Sequence, residues 1–216
     1  MTALDPREWE LRVELAACCR VFAHLGLYEM LFDRITMRLP GSEDRFLLTP
    51  PGLPYGEVTA SNLAAGALDG EAFAVQRTIY RRDPLARCII HTHTTAGLAV
   101  ASSKRGLVPT NFYSVAVAGD TRALISREHG VVAHGPTIPD AFEMHYRVQR
   151  ACDVQIATET VDEGLPIGQD IIDGVKRLRG KGLERAEREW VATPAARRIF
   201  DAMVRLVDAK DPSYRT

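Results

Sequence analysis

Arg87-Cys88-Ile89-Ile90-His91-Thr92-His93-Thr94 decides how this chain is read. Residues 88–90 form a short apolar run that predicts a buried strand, and residues 96–101 after it predict a helix. Side chains two apart on a strand point to the same face, so His91 and His93 can both reach one ion. Neutral imidazole suits Zn²⁺ and other divalent transition ions, and an open site needs a third protein ligand plus water or substrate. Paired histidines on a strand can equally do no more than hydrogen-bond to their neighbours, so the surroundings must carry the rest.

Working outward toward the N-terminus, 71–82 predicts a helix behind the turn Leu68-Asp69-Gly70, and 46–48 a strand. Residues 35–39 alternate apolar and polar as a second strand, and 40–44 (Pro-Gly-Ser-Glu-Asp) make the turn between these two. The loop 49–56 holds three prolines without amide donors and two glycines, so it is neither helix nor central strand. The first helix is signalled by Asp5 as N-cap, Pro6 behind it and Glu8 three residues on. Leu11, Leu15, Cys18, Phe22 and Leu25 give it a core-facing stripe, and Gly26 stops it.

Toward the C-terminus, 115–117, 123–126 and 131–133 read as short strands, and His134 as a loop residue. Thr137 caps a long helix carrying Phe142, Tyr146, Val148, Cys152 and Ile156. A helical tail follows, with Ile171, Ile172, Val175 and Leu178 in one run, Ile199, Met203 and Leu206 in another, and Gly180-Lys181-Gly182 between them. Hairpin-length connections favour antiparallel pairing, so the fold expected is layered α/β with helices on a mainly antiparallel sheet.

Composition excludes several function classes. The 216 residues are 46% hydrophobic and 25% charged with a formal net charge of -1, and the basic residues lie among acidic ones, which gives no nucleic-acid surface. No apolar run is long enough to span a membrane, and the start has no apolar h-region, so a cytoplasmic protein is expected. Cys18, Cys19, Cys88 and Cys152 sit in apolar, periodic surroundings and read as small buried hydrophobes.

The strand 87–94 resembles the HxH strand of the class II aldolase/adducin family, and other segments agree in order. Residues 47–61 are similar to the family's strand, loop and T-x-S helix start. Gly119-Asp120 through Arg127-Glu128-His129-Gly130 resembles its GD…RNHG strand, 141–152 its long helix, and Asp211-Pro212-Ser213-Tyr214-Arg215 an ending of the adducin-like branch. The resemblance implies a three-layer α/β/α sandwich with a mainly antiparallel central sheet and a helical C-terminal tail. It places the domain at 1–160 and a helical extension packed on it at 161–216. It also implies a homotetramer with the active site between subunits, and a divalent metal, zinc first with manganese or iron as alternatives.

Carried over by position, His91 and His93 match the first two metal ligands and Gly52 a phosphate-loop glycine. The third ligand falls on Tyr146, with His145 beside it but about 100° away around a helix. The carboxylate position falls on Ala72, which leaves Glu71 as candidate base, and Tyr113 is a candidate proton donor. Arg34 is a candidate for an anionic substrate or pairs only with Asp33 or Glu29 nearby, and His129 either orients the site or bonds to backbone. Two regions, before 71 and between 117 and 119, are shorter than the family's. The function expected is a metal-dependent lyase, by aldol cleavage or decarboxylation, of a small hydroxylated carbonyl or carboxylate compound. The alternatives are a catalytically inactive adducin-head-like oligomerisation or binding module and, more distantly, a non-haem iron oxygenase.

Overall fold

The computed structural model describes residues 5–127, 129–178 and 191–216; Gly180-Lys181-Gly182 and Glu128 lie outside them. Helix α1 (Pro6–Leu25) begins where expected, with Asp5 accepting from the Arg7 amide, and ends at Gly26 in the left-handed conformation (φ 66°). Among the described residues six strands follow: β1 (Arg34–Arg38), β2 (Phe46–Leu48), β3 (Ala64–Gly66), β4 (Cys88–Thr92), β5 (Ala123–Ser126) and β6 (Gly130–Gly135). They form one sheet in the order β3-β2-β1-β4-β6-β5, and each pairing is antiparallel. The other helices are α2 (Ala74–Arg82), α3 (Thr95–Ser102), α4 (Phe112–Val117), α5 (Ile138–Glu159), a helical run α6 over 169–178, and α7 (Pro194–Lys210).

The period-2 pattern of the central strands divides the core between two faces. Ile35, Met37, Leu47, Cys88 and Ile90 turn toward α1, α5 and α7, where they meet Leu15, Phe22, Phe142, Phe200 and Val207. Phe46, Ile89 and Val132 turn the other way and pack with Tyr80 of α2 and Leu68. The Tyr80 hydroxyl pins α2 to the sheet through the carbonyls of Thr36 (3.1 Å) and Arg87 (3.2 Å). The architecture is the expected antiparallel sheet between helical layers. All four cysteines are buried free thiols.

Several local expectations need correction. Residues 115–117 are not a strand but the end of α4, because Asn111 builds a capping box with Ser114 that starts a helix ahead of the β-branched pair. Strand β3 was not foreseen; Ala-Ala-Gly carries no strand preference and is recruited by pairing with β2. The segment behind Thr59 is a turn, closed by the Asn62 side chain on the Thr59 amide (2.9 Å), and not a helix start. His134 is a buried residue of β6, with Nδ1 3.6 Å from an Asp83 oxygen. In the tail, Ile199 and Leu206 are exposed, and α7 buries Ala196, Phe200 and Val207 instead. Ile171 and Leu178 are exposed too, leaving Ile172 as the buried residue of its run.

Candidate metal centre

Strand β4 positions the site by alternation. Its even residues face α5: the Thr92 hydroxyl shares a 2.7 Å hydrogen bond with Nε2 of His145, and Thr94 donates to Gln149 Oε1 at 2.6 Å. His145 and Gln149 are four residues apart on α5 and so lie on one helix face. Thr94 also caps α3, accepting from the Gly97 amide. With 92 and 94 held this way, His91 and His93 are directed away from α5, their rings 4.5 Å apart. Arg34 is the direct cross-strand partner of His91 and shares its face of the sheet.

The third imidazole is His129, in the turn between β5 and β6, its ring 5.3 Å from that of His91. Candidate ligand nitrogens of His91, His93 and His129 all lie within 4.8 Å of one another. Gly130 behind it (φ 63°) seats this turn against the end of β4; a Cβ there would stand 2.5 Å from the Thr92 carbonyl oxygen.

Hydrogen bonding fixes which nitrogens are available. Nε2 of His91 donates to the His129 carbonyl at 2.8 Å, so Nδ1 carries the lone pair, and that Nδ1 is buried without a partner. Burial, then the neighbouring His93, pushes the His91 pKa down to about 4, which keeps the ring neutral. His93 holds Nδ1 2.9 Å from Asp33 Oδ1, which leaves its Nε2 as the free nitrogen. A buried, orphaned lone pair beside two further imidazoles fits a divalent transition ion.

The cluster lies in a cleft of about 460 Å³ whose walls include Glu29, Phe32, Arg34, Glu71, Ala72 and Leu98. Glu71 is exposed at the start of a 3₁₀ turn (Glu71–Phe73) leading into α2. Arg34 donates through Nη1 to the carbonyls of Leu31 (2.9 Å) and Asp33 (3.1 Å) and lies 5.9 Å from the Phe73 ring centre. The cleft therefore gathers His91, His93, Glu71 and Arg34 from the sequence expectations.

Others fall elsewhere. His145 is fully buried on the α5 side of β4, its Nε2 engaged by Thr92 and its ring against Phe22, and burial lowers its pKa to about 3. Tyr146 stacks on Phe142 at 6.0 Å as part of the main core. Gly52 is an exposed turn residue at φ 83°, and Tyr113 lies at the start of α4 with the Arg150 guanidinium 6.0 Å from its ring; neither lines this cleft. Sequence reasoning left His129 undecided and weighed Asp33 only as a partner for Arg34, not as part of the site. The H-G pair at a strand turn was the available signal for the first; Asp33 lies 60 positions from His93 and gave none.

Comparison with known proteins identifies the family. The sequence profile described as Class II Aldolase and Adducin N-terminal domain matches residues 13–121 and 114–156. The protein PA3430 of Pseudomonas aeruginosa, which is named for aldolase class 2 without a substrate, is 29% identical over 254 positions, covering 96% of this chain and 93% of that protein. Those positions outnumber this chain's 216 residues, so the relative carries additional residues inside the matched span. Alpha-adducin of Rattus norvegicus is 28% identical and covers 99% of this chain, which spans 35% of adducin's length. Among solved structures, an aldolase II superfamily protein from Pseudomonas syringae superposes with a TM-score of 0.88 at 24% identity, covering 99% of this chain and 98% of its own. An L-fuculose 1-phosphate aldolase from Glaciozyma antarctica superposes at 0.82 and 20% identity, covering 100% and 96%. From the profile match over most of its length, together with the shared fold, the chain belongs to the class II aldolase and adducin N-terminal domain family.

Proposed function

We propose that this protein is a divalent-metal-dependent carbon–carbon lyase acting on a small hydroxylated carbonyl or carboxylate compound, by aldol cleavage or decarboxylation. The observation that carries the reading is the His91, His93 and His129 cluster at the floor of a cleft walled by Glu71 and Arg34. Three imidazoles with an open side favour zinc, with manganese or iron as alternatives. A bound divalent ion supplies Lewis-acid polarisation of a substrate oxygen. Glu71, exposed in the cleft wall, would carry the proton, taking it up as the carbon–carbon bond breaks and delivering it to the carbon that has lost its partner. Arg34, opposite His91 in the cleft wall, is placed to hold a substrate anion.

Met30, Leu31 and Phe32 stand 68%, 46% and 65% exposed at the cleft rim, which supports a homo-oligomer, a tetramer as in the family. Gly52 and Tyr113 take part only where a neighbouring copy completes the cleft. No helix among the described residues is long and apolar enough to cross a membrane, and a cytoplasmic location fits the four free thiols.

The test is metal content with and without supplementation, beside turnover of a panel of hydroxy-carbonyl and hydroxy-carboxylate compounds, for wild type and His91→Ala. The reading requires about one ion per chain, lost in the variant together with any turnover. No uptake by wild type, or an unchanged variant, refutes it. A second reading, a binding or assembly module of the adducin-head kind, is favoured by Ala72 at the position of the family's catalytic carboxylate and by the match to alpha-adducin along the whole chain. It requires stable oligomers and no turnover of any compound in the panel.

A further inference from the structure

We propose that Asp33 is the positioning residue of the metal centre, fixing the tautomer and direction of His93 and tying the cleft rim to it; this rests on the metal-centre reading above. Asp33 is buried at the start of β1. Its Oδ1 accepts from the backbone amide of His93 and shares a hydrogen bond with Nδ1 of the same residue, each at 2.9 Å. Its Oδ2 accepts from the Glu29 amide at 2.6 Å. Two of these partners are backbone amides that can only donate, and an ionised carboxylate that accepts from both also accepts from an Nδ1–H of His93. Burial raises the Asp33 pKa, and among the described residues the hydrogen bonds from His93 and Glu29 are what oppose it.

Three consequences follow from this geometry. With Nδ1 donating, His93 keeps the lone pair of Nε2 free in a cluster whose candidate ligand nitrogens lie within 4.8 Å of one another. Because one oxygen takes both the ring and the main-chain N–H of the same residue, ring rotation breaks a charge-assisted bond, and the imidazole is held in one orientation. The negative charge behind the ring raises its basicity toward an ion, as carboxylates behind metal-ligating histidines do. The second oxygen extends the arrangement to Glu29, itself in the cleft wall beside Phe32. A carboxylate serving only to close the 29–33 turn would need the Glu29 contact alone; the paired bonds to His93 are the additional feature.

The experiment compares wild type, Asp33→Asn and Asp33→Ala by two measurements. The first is nitrogen NMR of the histidine side chains in metal-free protein, which reports the His93 tautomer. The second is Co²⁺ titration by visible absorption with Zn²⁺ competition, which reports affinity and ligand field. Wild type is expected to hold His93 as the Nδ1–H tautomer. Asp33→Ala is expected to show mixed tautomers, a changed cobalt spectrum and a tenfold to hundredfold weaker affinity. Asp33→Asn retains an acceptor without the charge and should keep the tautomer while binding cobalt several-fold more weakly. An alanine variant with wild-type tautomer and wild-type affinity overturns the proposal. If the alanine variant does not fold, an asparagine variant that binds as tightly as wild type overturns it equally. If wild type takes up neither metal, the metal-centre reading fails, and the tautomer measured without metal still decides whether Asp33 orients His93.

Discussion

Replacing Gly130 with alanine strikes the contact that places His129 beside the HxH strand. Gly130 lies at φ 63°, and an added Cβ would come within 2.5 Å of the Thr92 carbonyl oxygen and 3.3 Å of the His93 Cα. The left-handed backbone costs an L-residue about 1–2 kcal/mol. The overlap adds about 1–3 kcal/mol, because both atoms struck are main chain and cannot rotate aside. Gly41 is the control: φ 73°, with nothing within 4 Å of its Cβ position, so Gly41→Ala carries the backbone cost alone. Urea unfolding of metal-free protein should therefore show Gly130→Ala losing about 2–5 kcal/mol and Gly41→Ala about 1–2 kcal/mol. Zinc competition should show weaker binding in the Gly130 variant only. Equal stability losses in the two variants, or undiminished zinc affinity in the first, would refute the placement of His129 against β4.

Other outcomes are expected from the same structure. His145 has its folded-state pKa lowered to about 3 by burial, against about 6.5 unfolded, so its contribution is present above pH 6.5 and is lost as pH falls toward 3. It amounts to ~5 kcal/mol at most, and acid titrations of unfolding should be flatter for His145→Gln, which keeps a partner for Thr92 without titrating. Glu71→Gln should abolish turnover while leaving zinc affinity within about twofold, since Glu71 lines the cleft outside the imidazole cluster; equal loss of both properties would place it among the ligands. Phe200→Ala removes a buried ring packed 5.6 Å from Phe142 and should cost about 3–5 kcal/mol by calorimetry or urea, showing that α7 belongs to the main core.

The parts of this molecule that were legible in its sequence are those whose causes are local. Asp5, Pro6 and Gly26 bound α1 through contacts within a turn of themselves, and 88–92 reads as a strand because Cys88, Ile89 and Ile90 form a short apolar run that is buried throughout. Where two local signals competed, the stronger won: the Asn111 capping box overrode the strand preference of Val115 and Val117. The tail was misphased because Ile199 and Leu206 resemble core residues equally with Phe200 and Val207, and only the surface presented by α1 and α5 selects among them. Half of the site lay beyond sequence reasoning for the same reason. His145 looked like a ligand by its place near Tyr146, yet the helix phase that aligns it with Gln149 makes it a support for Thr92. Asp33 became visible only once β1 had been laid beside β4.

The three imidazoles belong to separate parts of the chain, two leaving the end of β4 and one in the turn before β6. Anything that bridges them must be released before the sheet can come apart, so occupancy is written into the melting curve. A ligand at a hundredfold excess over its dissociation constant adds ~2.7 kcal/mol, which for a chain of this size is a shift of about 5–10 °C. Warming the protein with a panel of ions, and then with ion and small hydroxy acids together, lets it report its own metal and then its own substrate before any reaction has been guessed.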